Sequence, residues 1–333
     1  MTLRTAGHLG RRAAAAALCL AVLSLARPAS AIDPAAGTGG AAFMKMGMGS
    51  ARSMAMGRAY TALAEGAEAL TANPAGLALA QQREATYSYL RYVQDIDAPF
   101  YLGYAHPFGR TVLGANVSYL SVDGFDARDS RGVPVDSSNV RVQSGFATLA
   151  LSRSFWYEKL FLGAGLRGIH EDNAGTLHNV LAGDIGLLFK PNPYVTFGFA
   201  TQNFGAGQAR VASTTRSGVA FRLFEMLNLS MELSKPSDNA MRVALGGEFI
   251  LPEDFLQIGQ IALRVGYAGT DDMGKPLEED RSALYPLVDS PKISYGVGLY
   301  SAQAFGYGIS FDYALVPMGG LGTVDQLSLK VKF

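Results

Sequence analysis

Phe305-Gly306-Tyr307-Gly308-Ile309-Ser310-Phe311-Asp312-Tyr313-Ala314-Leu315 alternates without a slip, with an aromatic or branched side chain at every odd position and Gly, Ser, Asp or Ala at every even one. Period two with one apolar face is the pattern of a β-strand. Residues 241–251 repeat it, setting Met241, Val243, Leu245, Gly247, Phe249 and Leu251 against Arg242, Ala244, Gly246, Glu248 and Ile250. Residues 261–267 and 293–299 follow the same scheme. A soluble sandwich alternates too, but its second face usually carries Lys, Glu and Thr. Here that face is Gly, Ala and Ser with isolated charges, which suits a crowded polar lumen while the large apolar face meets lipid.

Working outward, similar segments fall at 84–93, 99–108, 111–122, 140–153, 158–170, 177–190, 193–203, 209–222, 226–235, 240–251, 258–268, 291–301, 305–316 and 323–333. Each is near the ~9–11 residues of a tilted membrane strand. The expected fold is all-β: an up-and-down antiparallel transmembrane barrel of about fourteen strands. The long polar connections, 123–139 and 269–290, follow the third and eleventh segments and so share one end. The short turns at 109–110, 191–192 and 302–304 follow even segments and share the other. Outer-membrane barrels have long outside loops and short periplasmic turns. Leu327, Leu329, Val331 and Phe333 alternate to an aromatic carboxy-terminus, read as an assembly signal for the barrel-assembly machinery. Phe155-Trp156-Tyr157, at a short turn, suits an aromatic girdle.

The phase assigns Arg167, Asp184, Arg216, Arg222, Glu232, Arg242, Glu248, Arg264 and Asp312 to the lumen. Facing lipid at mid-membrane, an Arg or Lys costs about 2–4 kcal/mol, so inward is the affordable direction. Both signs occur, which predicts pairing across the lumen and not a ring of one charge.

The chain has 333 residues, 49% hydrophobic and 17% charged, with 39 Gly and zero formal net charge. So little charge beside so much Gly excludes a disordered chain or coiled coil, and no basic excess points to nucleic acid. Arg4, Arg11 and Arg12 precede the apolar run 13–25, and Ala29-Ser30-Ala31 supplies a cleavage site. Residues 1–31 therefore read as a signal peptide for export to the outer membrane of a Gram-negative-type cell. Cys19, the single cysteine, leaves with it, so disulfides and thiol chemistry are excluded from the mature chain.

Residues 32–83 differ in character. Residues 37–57 are rich in Gly and Met, 59–70 are Ala-rich and read as a short helix, and Asn73-Pro74-Ala75-Gly76-Leu77 breaks it. A small segment ahead of a barrel (84–333) has the lumen as its expected place, as a hatch. There Arg52 and Arg58 should meet inward carboxylates such as Glu232, Glu248 or Asp312, because a buried unpaired charge is expensive. Gly37-Thr38-Gly39-Gly40-Ala41-Ala42-Phe43-Met44-Lys45-Met46-Gly47, then Met56-Gly57-Arg58-Ala59-Tyr60-Thr61-Ala62-Leu63-Ala64, then Asn73-Pro74-Ala75-Gly76-Leu77, resembles the opening of PorV/PorQ proteins, within the FadL-like group of fourteen-stranded barrels with an N-terminal hatch. The resemblance covers about residues 37–80. It implies hatch-motif roles for Gly57, Arg58, Tyr60, Asn73, Pro74, Ala75 and Gly76. It also implies an accessory role in protein secretion or surface attachment, with secretion-system proteins as partners. The FadL-like alternative is a passive channel for hydrophobic small molecules, with such a ligand and outer-membrane lipid as its contacts.

Sharper motifs yield to plainer ones. Gly163-Ala164-Gly165-Leu166-Arg167-Gly168 fits G-x-G-x-x-G, but it lies inside an alternating strand and opens no helix, so it reads as small lumen-facing residues. Met44, Met46, Met48, Met54 and Met56 are soft ligands for Cu(I), yet no His or Cys accompanies them and Met fills irregular gaps well. The mature histidines are His106, His170 and His178, without a nucleophile signature for an outer-membrane hydrolase. No catalytic residue, metal or cofactor is expected.

Overall fold

A computed structural model describes residues 49–91, 99–122, 128–133, 141–206, 211–239, 241–253, 259–269, 293–304, 306–317 and 323–333. The expected signal peptide (1–31), the first part of the N-terminal motif with Met44, Met46 and Met48, and most of the two long connections lie outside them.

Fourteen antiparallel strands close into one barrel in sequence order, β1 pairing with β14. They are β1 Glu84–Arg91, β2 Phe100–Phe108, β3 Thr111–Val122, β4 Val142–Phe155, β5 Leu160–Asn173, β6 Thr176–Asn192, β7 Val195–Phe204, β8 Thr214–Leu223, β9 Leu227–Pro236, β10 Arg242–Leu251, β11 Gln260–Ala268, β12 Ile293–Ala304, β13 Tyr307–Pro317 and β14 Thr323–Lys332. The expected all-β barrel is thus the observed one, and each expected segment holds one strand. Closure matters because a membrane offers no partner to a free sheet edge. Boundaries moved where the backbone turns: β8 starts at Thr214 and not at 209, and Gly306, with φ +85°, sits in the β12–β13 turn ahead of β13.

The two faces differ as the alternation demands. Outward Leu149 is 71% exposed, and Leu166 and Leu181 are exposed like it, while inward Thr148, Arg167 and Ala182 beside them are buried. An outer wall of bare leucines is stable only against an apolar medium. Trp156, Tyr157, Tyr194 and Phe224 stand exposed on turns at the short-turn end, the amphipathic belt of a membrane surface. Among the described residues no helix is long and apolar enough to cross a membrane.

Residues 49–80 run against the inner wall. α1, Ala51–Ala55, is started by Ser50, whose Oγ accepts from Ser53 N (3.4 Å), and it packs on β11–β14. Two 3-10 helices follow, Gly66–Thr71 against β1–β3 and Pro74–Leu79 against β3–β6. The expected helix over 59–70 is therefore corrected: the α-helical turn lies earlier. Gly66 stops any propagation, because its φ is +64° and the Glu84 carboxylate occupies the place of a Cβ. Asn73 separates the two 3-10 helices and caps the second, its Oδ1 accepting from Ala75 N at 3.1 Å.

Candidate functional site

The lumen has two layers. At the long-loop end the inward residues are Leu90, Leu120, Phe146, Ile169 and Val324, joined by Ala206 and Val211 of the β7–β8 connection in one buried apolar cluster. Below it, toward the short turns, lies the N-terminal segment, fixed by charge and hydrogen bonds.

The centre of the lower layer is Glu248 on β10. Arg52 Nε and Nη2 donate to its two oxygens at 2.8 and 2.7 Å, Arg264 Nε donates to Oε1 at 2.7 Å, and Asn228 Nδ2 donates to Oε2 at 2.8 Å. Arg264 also holds Asp312 Oδ1 at 2.5 Å, and Arg52 holds Glu65. Charges therefore alternate from Glu65 through Arg52, Glu248 and Arg264 to Asp312. Register makes this possible. Glu248 and Arg264 are directly cross-strand, whereas Arg264 and Asp312 face each other over β12, where a Cβ at Gly298 would stand 2.6 Å from Arg264 Nη1. A side chain there would cut the chain of charges.

A second anchor is Glu232 on β9, which accepts from Tyr60 N at 3.0 Å and Thr61 N at 2.8 Å and pairs with Arg216 at 3.4 Å. A third is Glu68, which the sequence reading did not single out. It pairs with Lys330 at 3.1 Å and accepts from Ser50 Oγ at 2.7 Å. The phase of β14 turns Lys330 inward once Leu327, Leu329 and Val331 face out; Glu68, outside any strand, carried no such signal. Fourth, Arg167 pairs with Asp184 at 2.6 Å and donates to Leu70 O at 2.9 Å, Asn203 Oδ1 at 3.1 Å and Thr148 Oγ1 at 3.0 Å. Its guanidinium lies 5.2 Å from the Phe146 ring centroid. Arg167 thus forms the floor of the apolar layer and a clasp on the segment below.

The remaining motif residues are also placed. Gly57 and Arg58 are both left-handed (φ +63° and +67°), and Gly57 N donates to Ser294 Oγ at 3.1 Å. Arg52, not Arg58, is seen on Glu248. Tyr60, Asn73, Pro74, Ala75 and Gly76 are buried, and Asn73 Nδ2 joins Thr61 O to Leu187 O of β6 at 3.0 Å each. Arg242 is half-buried at the start of β10. Arg222 is exposed at the end of β8, its Nε 3.4 Å from Asn228 Oδ1. Phe333 N donates to Arg83 O at 2.9 Å and its ring stacks on Tyr104. Met54 and Met56 are buried in packing. Gly163 and Gly165 face inward inside β5. His106 bonds Tyr104, whereas His170 bonds Asn179 at the exposed top of β5 and β6. In the long-loop region Asp129 accepts from the backbone N–H groups of Val133 and Arg131, which holds its carboxyl below the usual range.

No known family's sequence model matches the chain, and no curated protein matches it in sequence. Solved structures do match in shape. A Pseudomonas aeruginosa FadL homologue superposes with a TM-score of 0.53 at 11% identity over 85% of this chain and 97% of its own. The Pseudomonas putida toluene transporter TodX gives 0.54 at 12% over the same shares, and the CymD monoaromatic hydrocarbon channel gives 0.53 at 12% over 86% and 98%. At such identity the likeness speaks for architecture: the chain has the fold of a FadL-like outer-membrane barrel.

Proposed function

We propose that the protein is a passive outer-membrane channel for neutral hydrophobic small molecules. The observation that carries this reading is the apolar cluster in the lumen at the long-loop end, built from Leu90, Leu120, Phe146 and Ile169 over the Arg167–Asp184 floor. A lumen serving water-soluble solutes has no use for such a layer. A compound the size of an aromatic side chain hides ~150–200 Å², worth about 4–5 kcal/mol at ~25 cal/mol/Å². That corresponds to roughly millimolar affinity, enough to draw the compound from water and weak enough to release it. Fold neighbours named for toluene and monoaromatic hydrocarbons support the same reading. Nothing in the fold or the comparisons favours the protein-secretion role that the N-terminal motif implies.

In this reading residues 1–31 direct export, 32–83 form the hatch, with Gly57, Arg58, Tyr60 and 73–76 as its motif, and Phe333 signals assembly into the outer membrane. The test is uptake of labelled toluene by cells that express the chain, against Leu120→Asp and Phe146→Asp. Uptake above that of cells without the protein, lost at least fivefold in heat-modifiable and therefore folded variants, is expected. Uptake equal to background, or untouched by both substitutions, contradicts the proposal.

A further inference from the structure

Every inward cation of the lower layer named above has a carboxylate: Arg52, Arg167, Arg216, Arg264 and Lys330. Three further inward positions close to the short-turn end break that rule. Lys190, near the end of β6, lies over the Phe161 ring at 5.5 Å; Lys332, the last residue of β14, lies over Tyr300 at 5.5 Å; Arg222 on β8 reaches only the neutral Asn228. None of the three makes an ion pair among the described residues. Glu84, directly cross-strand from Lys332, is engaged with Ala67 N, and Glu65 with Arg52. The other acids here, Glu158, Glu225 and Glu253, stand in or beside the turns; Glu65 and Glu158 act on Lys190, and Glu65 on Lys332, only through space and without an ion pair.

Unpaired cations that share one mouth concentrate field lines and attract anions. β6 and β8 are two strands apart, ~10 Å, while β14 is six strands further round the barrel. One small anion cannot touch all three. We infer that the short-turn mouth of the lumen is a docking site for an acidic polypeptide segment of a partner on that side of the membrane. The segment's several carboxylates span Lys190, Arg222 and Lys332 at once. Arg222 is exposed and Lys190 and Lys332 are half-buried at the rim, so the binding is multivalent and sensitive to salt.

The test uses the full-length protein in lipid nanodiscs, which leave both ends open, and a fluorescent hexaglutamate peptide at low salt. Binding by the native protein is expected to weaken at least tenfold in the Lys190→Gln, Arg222→Gln, Lys332→Gln triple variant. It should survive in Lys190→Arg, Lys332→Arg and in Arg91→Gln at the opposite end. Heat-modified mobility verifies that each variant is folded. No binding by the native protein, equal binding by the triple variant, or displacement by inorganic phosphate as effective as by unlabelled peptide overturns the inference.

Discussion

The cations inside the barrel and the cations at its short-turn mouth are the same residue types on the same inward face, yet they differ in company. Arg264, 6% exposed in its side chain, touches two carboxylates; Arg222, three strands away in the wall, touches none. The difference follows from water. A charge removed from solvent needs a partner, and removing one member of such a pair costs about 3–5 kcal/mol. A charge at the mouth, exposed like Arg222 or half-buried like Lys190 and Lys332, keeps part of its hydration and so remains available to something that arrives. Paired cations therefore hold the N-terminal segment, and unpaired ones stand at the short-turn mouth.

The sharpest way to break this comparison is Glu248→Ala. It leaves Arg52 with Glu65 alone and Arg264 with Asp312 alone, and should lower stability by about 3–5 kcal/mol in urea titrations of the barrel in lipid vesicles. A loss below ~1 kcal/mol would mean that the network is decorative. Gly298→Val should cost less, about 1–3 kcal/mol, as the new side chain crowds the Arg264–Asp312 contact. Combined with Asp312→Asn its effect should fall short of the sum, since both changes break one link; additive losses would place the damage elsewhere. Smallest of all, Lys190→Gln, Arg222→Gln and Lys332→Gln should each stay within ~0.5 kcal/mol of the native protein in the same titration. A loss above 1 kcal/mol from any of them would show a hidden structural partner.

Much of this is legible in the amino-acid sequence. Alternation in 241–251 and 305–315 fixes strand type and phase together, because a membrane barrel tolerates no slip of one residue without turning charges to lipid. The strand count and the parity of the connections follow from the same signal. The hatch was less legible. Local rules suggested a helix over the Ala-rich 59–70, but Glu84, distant in sequence, folds onto Gly66 and dictates the turn. Which carboxylate meets which arginine was equally out of reach, since Arg264 meets Glu248 through register and Asp312 past the missing side chain at Gly298, while Arg52 reaches Glu248 from outside the strands. The mouth cations lay in view, with Lys332 inward by the phase of β14. What set them apart was the lack of partners, visible only in three dimensions.

The central claim is that residues 49–80 stand in the lumen as a closure held by the paired charges. Single-channel conductance in planar bilayers tests it most directly, comparing the full-length chain with one that lacks residues 37–80 but keeps residues 1–36. All fourteen strands lie after the deletion, so the barrel can still close. The account predicts a nearly silent full-length protein and large, steady openings from the deleted one. Large and equal conductance from both would contradict it.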